Sequence, residues 1–420
     1  MRRGYLLGLI IIAVVLALIG TTLFSPPPPA NENNENNHTA PPAHENGGNE
    51  DDPEPEIRSA TILAVGDIMG HRYQVEQAQV VNADGSVSYN FRPSFDFIAP
   101  YLMEPDLTVG VLETTLAGAE RGYSYYPNFN TPEELAANLK DAGFDLLATA
   151  TNHSLDKGIS GLQATIENLR AAGLENVGTY LSPEEQQTPL IKDLNGIKVA
   201  FLAYTETTNG IPVPAGHEYA INFIPGMQDI SPLMQEIERA RAAGADIVAV
   251  LLHWGPVEYQ TTPTDFQRQR ARQIIEAGAD LILGSHVHII LPLEWITVQE
   301  GERAGRKALV AYSMGNFFTN QHYSPGPPNY IPSPGVQCGL MVQVELQKDT
   351  ATGEAVISDA GYRISWVHRH WQHRILPVDE VIERGREQYN LNEEEFQEMQ
   401  SSTNQMIAVV ENYGFSGENQ

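Results

Sequence analysis

The chain has 420 residues, 42% of them hydrophobic, enough for one large domain with embellishments or for two domains. Its formal net charge of −28 argues against a broad basic footprint for nucleic acid, and an anionic ligand would need a bound cation to supply local positive charge. The single cysteine, Cys338, excludes an intrachain disulfide and reads as a buried, inert thiol.

Met1-Arg2-Arg3 precedes an uncharged apolar run from Gly4 to Phe24, long enough to cross a bilayer as a helix. The two arginines favour a cytoplasmic N-terminus and place the rest outside. A cleaved signal peptide is the competing reading. The length of the run, and the lack of an A-x-A site in LIGTTLFSPPPP, favour an uncleaved anchor over residues 1–24. No cysteine follows the run, which disfavours a lipoprotein. Residues 25–57 read as linker. PPPP is a stiff spacer, and the acidic, Asn-rich tract after it cannot bury enough surface to offset its ordering entropy. His38 and His44 fall there as solvated residues. The expectation is a single-pass cell-membrane protein with its main domain, 58–376, outside the cytoplasm, followed by an acidic helical extension, 377–420.

From Ser59 strands and helices alternate. TILAV is a buried run ending in Gly66-Asp67, and a second strand from Pro105 to Leu112 ends at Glu113. TPEELAANLKDAG predicts a helix with Thr131 as N-cap, Pro132 first and Glu134 closing a capping box. DLLATA runs into Asn152-His153. ISGLQATIENLRAAG predicts a second helix capped by Ser160 and stopped by Gly173. IKDLNGIKVAFLAY reads as a hairpin about Asn195-Gly196. A unit of helix, A-G-A-D, buried strand and histidine then occurs twice, ending at His253 and at His286-x-His288. Continuous apolar strands of this kind imply a covered sheet. PLEWITV, KALVAYS, GLMVQVEL and AVISDAGYRISWV read as antiparallel strands closing a second half. SPGPPNYIPSPG is a loop placed to overhang the site, and the C-terminal stretch is helical around Asn392 to Gln400.

Strand-like segments thus deliver Asp67, Glu113, Asn152, His153, His253, His286 and His288 to their carboxyl ends, where open α/β sheets build their sites. Asp67 is a metal ligand or a helix cap. Arg72 clamps an anionic substrate oxygen or pairs with Asp67. Glu113 can bridge two cations. Asn152 offers a hard amide oxygen, and His153 a proton for a leaving group, with Asp156 orienting it or capping the next turn. Glu258 and Tyr259 are placed to fix a histidine tautomer. The HxH spacing puts both rings on one face of an extended chain, or lets both reach one cluster from a turn. Imidazole, carboxylate and amide without thiolate suit one or two divalent ions of Mn, Zn or Fe at a water-accessible site. Asn316, Tyr204 and Glu206 end further strands as candidate substrate contacts. His368, His370 and His373, beside Arg369 and Arg374, read as a strand or surface cluster.

These residues together resemble the poly-γ-glutamate capsule synthesis family (CapA type), whose fold is similar to calcineurin-like metallophosphatases. The resemblance covers roughly Ala60 to Asn320. It rests on GDIMGHR, the LE of VLETTL, NFNTPEELAANLKDAGFDLLATATNHSLDKG, FLAYT, LLHWGPVEY, AGADLILGSHVH and YSMGNFF. It implies a four-layer α/β/β/α sandwich and a membrane-anchored, outward-facing protein. The role it implies is making, exporting or anchoring an anionic capsule polymer, in company with other membrane subunits. Metal ligation would fall on Asp67, Glu113, Asn152, His253, His286 and His288, and proton donation on His153. The alternative is a non-catalytic subunit that uses the same pocket to bind polymer. Val111, Thr151 and Val287 depart from the family pattern. Met69 stands where metallophosphatases carry the histidine of D-x-H, and thioether is a poor ligand for a hard ion. Either that position is weak or His71 compensates.

Overall fold

The structure is a computed structural model, and its described residues are 56–324, 331, 333–413 and 415. The expected anchor over 1–24, residues 25–55 of the expected linker, and 325–330 and 332 of the proline-rich loop lie outside them. Among the described residues no helix is long and apolar enough to cross a membrane.

β1 (Ile57–Ile68) opens the domain one residue before the expected boundary, because Ile57 already pairs with Asp349. Next come α1 (Arg72–Ala78), a small hairpin of β2 (Gln79–Val81) and β3 (Val87–Tyr89), α2 (Arg92–Phe95) and α3 (Ala99–Met103). β4 (Leu107–Leu112), α4 (Glu134–Ala142), β5 (Leu146–Ala148), α5 (Gly158–Ala171) and β6 (Glu175–Val177) alternate. After α6 (Pro183–Gln187), β7 (Leu190–Leu194) and β8 (Ile197–Thr205) form the expected hairpin. Its turn residues Asn195 and Gly196 have φ of 55° and 85°, the left-handed pair that suits the twist of the strands. The repeated unit is α7 (Ser231–Ala242) with β9 (Ile247–His253), then α8 (Asp265–Glu276) with β10 (Leu281–Ser285). β11 (Leu293–Thr297), β12 (Lys307–Ala311), β13 (Asn316–Phe318), β14 (Cys338–Asp349), β15 (Ala355–His368) and β16 (Arg374–Pro377) follow, then α9 (Val378–Arg384) and α10 (Glu393–Val410).

Two helix starts differ from expectation. The Thr131 hydroxyl bonds Thr114 at 2.7 Å, so it does not cap, and α4 begins at Glu134. α5 begins at Gly158, which leaves Ser160 inside the helix, while Gly173 takes a left-handed φ of 80° just past its end.

The strands form an eight-stranded sheet, in the order β16-β15-β14-β1-β4-β5-β6 with β13 against β1, and a six-stranded sheet, β11-β12-β10-β9-β8-β7. β1, β4, β5 and β6 are parallel, as are β8, β9, β10 and β12. The late strands therefore do not close one second half. β11 and β12 extend the six-stranded sheet, while β14, β15 and β16 run antiparallel along the other edge of β1.

Period-two alternation sorts each strand between two cores. Val199, Phe201 and Ala203 of β8 and Ala249 and Leu251 of β9 face Ile62, Ala64, Val109 and Val342 of the other sheet. Ala200, Leu202 and Val250 face outward onto Leu233, Ile237 and Ile274 of α7 and α8. Leu63 and Val65 pack outward against Phe95, Leu102, Leu135 and Leu139. Helices thus cover the outer face of each sheet in this mixed α/β fold. The C-terminal segment does not stand apart as an extension, since Val381, Met399, Met406 and Val410 join the inter-sheet core. Cys338 is fully buried there, and burial pushes its thiol up to about 12, consistent with an inert role.

The tightest backbone approach lies beneath the candidate site. A Cβ on Gly66 would come within 1.8 Å of the Gly315 carbonyl oxygen, which accepts the Asp67 N–H at 2.9 Å. Gly66→Ala is expected to lower unfolding free energy by about 3 kcal/mol, read as a shift of the urea midpoint.

Candidate metal centre

Both sheets point their parallel carboxyl ends the same way. Asp67 lies near the end of β1, Glu113 directly follows β4, and Asn152-His153 lies just past β5. His253 is the last residue of β9 and pairs in register with Ser285, so His286 emerges beside it. The HxH segment resolves as a turn: His286 and His288 have φ of 92° and 61°, with Val287 buried between them. Left-handed conformations cost roughly 1–3 kcal/mol each for such residues and persist where the surroundings over-determine them. Gly255 packs against Val287 at a distance no side chain could share, and the Tyr259 N–H holds the Val287 carbonyl at 2.8 Å.

The delivered side chains meet. Asp67, Glu113 and His288 form one group whose ligand atoms lie within 4.8 Å of one another, and Glu113, His253 and His286 form another. Glu113 belongs to both. Its Oε1 is 3.6 Å from His253 Nε2, and its Oε2 is 3.8 Å from His288 Nδ1. His288 Nδ1 also lies 3.4 Å from Asp67 Oδ2. Asn152 Oδ1 sits 3.0 Å from His253 Nε2.

All these groups are buried, and Asp67 and Glu113 have no exposure at all. Asp67 Oδ1, both Glu113 oxygens and His286 Nδ1 lack any hydrogen-bond partner among the described residues. Unpaired buried carboxylate oxygens are expensive, and a cation is the ordinary remedy. The donor set therefore fits a divalent ion.

The electrostatics agree. Burial pushes Glu113 up to about 8, opposed by the His288 charge and reinforced by Asp67. Burial also works against the charged form of His288, yet Glu113 and Asp67 outweigh it and raise the ring to about 10. Asp67 is held below the usual carboxylate range, because its bond to His288 and the nearby imidazole charges overcome desolvation. Burial lowers His253 to about 3 and His286 well below normal.

Around this cluster the remaining candidates divide. His153 Nε2 lies 4.0 Å from Glu113 Oε1, and its Nδ1 is held by Asp156 Oδ2 at 2.7 Å, so Asp156 orients the ring. Ser285 fixes His253, through its hydroxyl at 2.8 Å from Nδ1, while the Tyr259 ring lies 5.9 Å from that of His288. The sequence held a signal for it, a polar residue closing a buried strand one place before His286. Asn316, expected as a substrate contact, is fully buried with its Oδ1 3.1 Å from His288 Nδ1, so it faces the cluster. The Glu206 carboxylate accepts the Gly255 N–H at 2.9 Å and braces the turn after His253. Tyr204 falls on the outer face of β8, in the alternation set by Ala200 and Leu202, and its hydroxyl bonds Glu236 beneath α7. It thus points away from the metal-centre groups. Arg72 neither pairs with Asp67 nor enters the cluster; its exposed guanidinium pairs with Glu76 at 3.1 Å, one helical turn on. His71 stays outside both groups, with its Nδ1 against Gln74 and the Asn320 N–H. His368 and His370 share Glu395 on α10, and His373 is bound between Gln77 and Asn320.

Known proteins are similar to this chain in sequence. A family profile described as "Bacterial capsule synthesis protein PGA_cap" matches residues 61–321. The capsule biosynthesis protein CapA of Bacillus anthracis is 29% identical over 278 residues, covering 64% of this chain and 62% of that protein. The PGA biosynthesis protein CapA of Bacillus subtilis (strain 168) is 30% identical over 266 residues, covering 62% of this chain and 63% of that protein. The match thus spans less than two thirds of these relatives. Among solved structures, the calcineurin-like phosphoesterase YfkN from Bacillus subtilis aligns with a TM-score of 0.40 and 17% identity, over 84% of this chain and 98% of that one. A 5'-nucleotidase precursor from Thermus thermophilus aligns with a TM-score of 0.42 and 13% identity, over 83% and 58%. With the profile covering most of the chain, this protein belongs to the bacterial capsule synthesis protein family PGA_cap.

Proposed function

We propose that the chain is a membrane-anchored, extracytoplasmic metallohydrolase of capsule-polymer biosynthesis, with poly-γ-glutamate as the polymer. The observation that carries this reading is Glu113, shared between two buried ligand groups with both its oxygens unpaired. Asp67, Glu113 and His288 would hold one divalent ion, and Glu113, Asn152, His253 and His286 a second. When bound, such ions activate water and neutralise charge developing on a phosphoryl or acyl oxygen. The chain's own contribution is rigidity and proton management. Ser285 fixes the His253 ring, Glu206 braces its turn, and the Asp156 carboxylate holds His153 with Nε2 directed to the cluster. His153 in that pose protonates the leaving group. The names of the relatives support the capsule role; the apolar run at 4–24 supports the anchor.

A second reading, a polymer-binding subunit of a membrane export complex without turnover, is favoured by one observation. Met69, at the D-x-H position, is buried with its sulfur 4.0 Å from the Thr319 hydroxyl, which leaves the first group with three acidic or imidazole ligands.

Two measurements test the proposal on the detergent-purified full chain. Metal analysis after manganese or zinc loading should find two ions per chain, one after His286→Ala, and none after Glu113→Ala. Ser285→Ala should weaken binding of the ion at His253 by about 10- to 100-fold. Turnover of a model phosphodiester or a γ-glutamyl oligomer should fall by about 100-fold or more in Asp156→Asn, with metal content unchanged. A wild-type protein that carries metal, binds γ-glutamyl polymer and turns nothing over would establish the second reading instead.

A further inference from the structure

We infer that Asn316 supplies the ligand that Met69 cannot, so that the first ion is held by Asp67, Glu113, His288 and the side-chain carbonyl of Asn316. This rests on the metal-centre reading above.

Three observations carry it. The first is orientation. The Asn316 amide nitrogen faces three acceptors, the His288 carbonyl at 3.3 Å, Gln321 Oε1 at 2.9 Å and the Val336 carbonyl at 2.9 Å. An amide nitrogen only donates, so this side is fixed as NH₂ and the oxygen is fixed toward the cluster. The second is position. Asn316 begins β13 and pairs in register with Asp67 itself, so the backbone places the two residues side by side.

The third is spacing. The His288 nitrogen near Asn316 Oδ1, at 3.1 Å, is Nδ1, the same atom that faces Asp67 and Glu113. Once Nδ1 donates its lone pair to an ion it carries no proton, and Asn316 Oδ1 can no longer accept a hydrogen bond from it. Two lone-pair donors then stand 3.1 Å apart. Donors on an ion about 2.1 Å away are about 3.0 Å apart at right angles and about 3.4 Å apart in a tetrahedron. The second group has the same pairing, with Asn152 Oδ1 3.0 Å from His253 Nε2. Each position thus pairs an imidazole nitrogen with an amide oxygen beside the shared Glu113.

The test is metal binding by Asn316→Ala and Asn316→Asp in the full chain, with thermal melts confirming folding. Asn316→Ala should lose the first ion and keep the second, its affinity falling more than about 100-fold, beyond the range that outer partners give. Asn316→Asp keeps an oxygen donor and loses the NH₂, so it should retain both ions. A structure of the manganese-loaded wild type should place Asn316 Oδ1 in the coordination sphere. The inference is overturned if Asn316→Ala binds both ions as wild type does, if Asn316→Asp loses the first ion as fully as Asn316→Ala, or if Oδ1 lies outside coordinating distance. Loss of metal in Asp67→Ala and His286→Ala would still uphold the metal centre in each of those cases. If those two variants bind metal like wild type, the centre itself fails.

Discussion

Two carboxylates enclosed together, Asp67 and Glu113, are the constraint on which this structure turns. Neither touches solvent, and three of their four oxygens have no partner among the described residues. Placing like charges in a low-dielectric interior is unfavourable unless positive charge is brought to them. The surrounding rings are arranged accordingly. His288, 3.4 Å from Asp67 and 3.8 Å from Glu113, is pushed toward its charged form, while burial pushes His253 and His286 toward the neutral form. A neutral imidazole is the form that binds metal. In a chain of net charge −28, this pocket is a built demand for a cation.

The fold meets that demand by convergence. Each sheet alone holds only part of the set. The eight-stranded sheet brings the carboxylates and Asn152-His153, and the six-stranded sheet brings the three imidazoles. Inter-sheet packing of residues such as Val111 and Leu251 fixes the distance between the two contributions. Interiors packed this densely transmit small displacements. Mutations well below the site therefore reach it, and the Gly66–Gly315 contact is where the backbone has least room.

Much of this was legible in the sequence because the signals were local. Buried runs ending in Asp, Glu or His marked strand ends, and Asn195-Gly196 marked its hairpin. What was not legible depended on faces and partners. Tyr204 and Glu206 looked equivalent as strand-end polar residues, but alternation turns Tyr204 toward the helix layer. Thr131 had the pattern of a cap, yet a hydroxyl seventeen positions earlier in the chain, on Thr114, takes its hydrogen bond. Arg72 was drawn to Asp67 by proximity in sequence, whereas helix geometry gives it Glu76. The role of Asn316 required knowing that β13 lies against β1, a pairing no spacing reveals.

That central strand also sets when the chain can fold. β1 is made first, but its antiparallel neighbour is β14, with Ile57 opposite Asp349, and β13 shields its far end. Contacts so distant along the chain delay folding, because loop closure precedes any reward from pairing. During synthesis the amino-terminal half therefore has an unpaired hydrogen-bonding edge along β1, which is covered only once the segment ending at Asp349 has emerged, and β15 and β16 join the sheet later still.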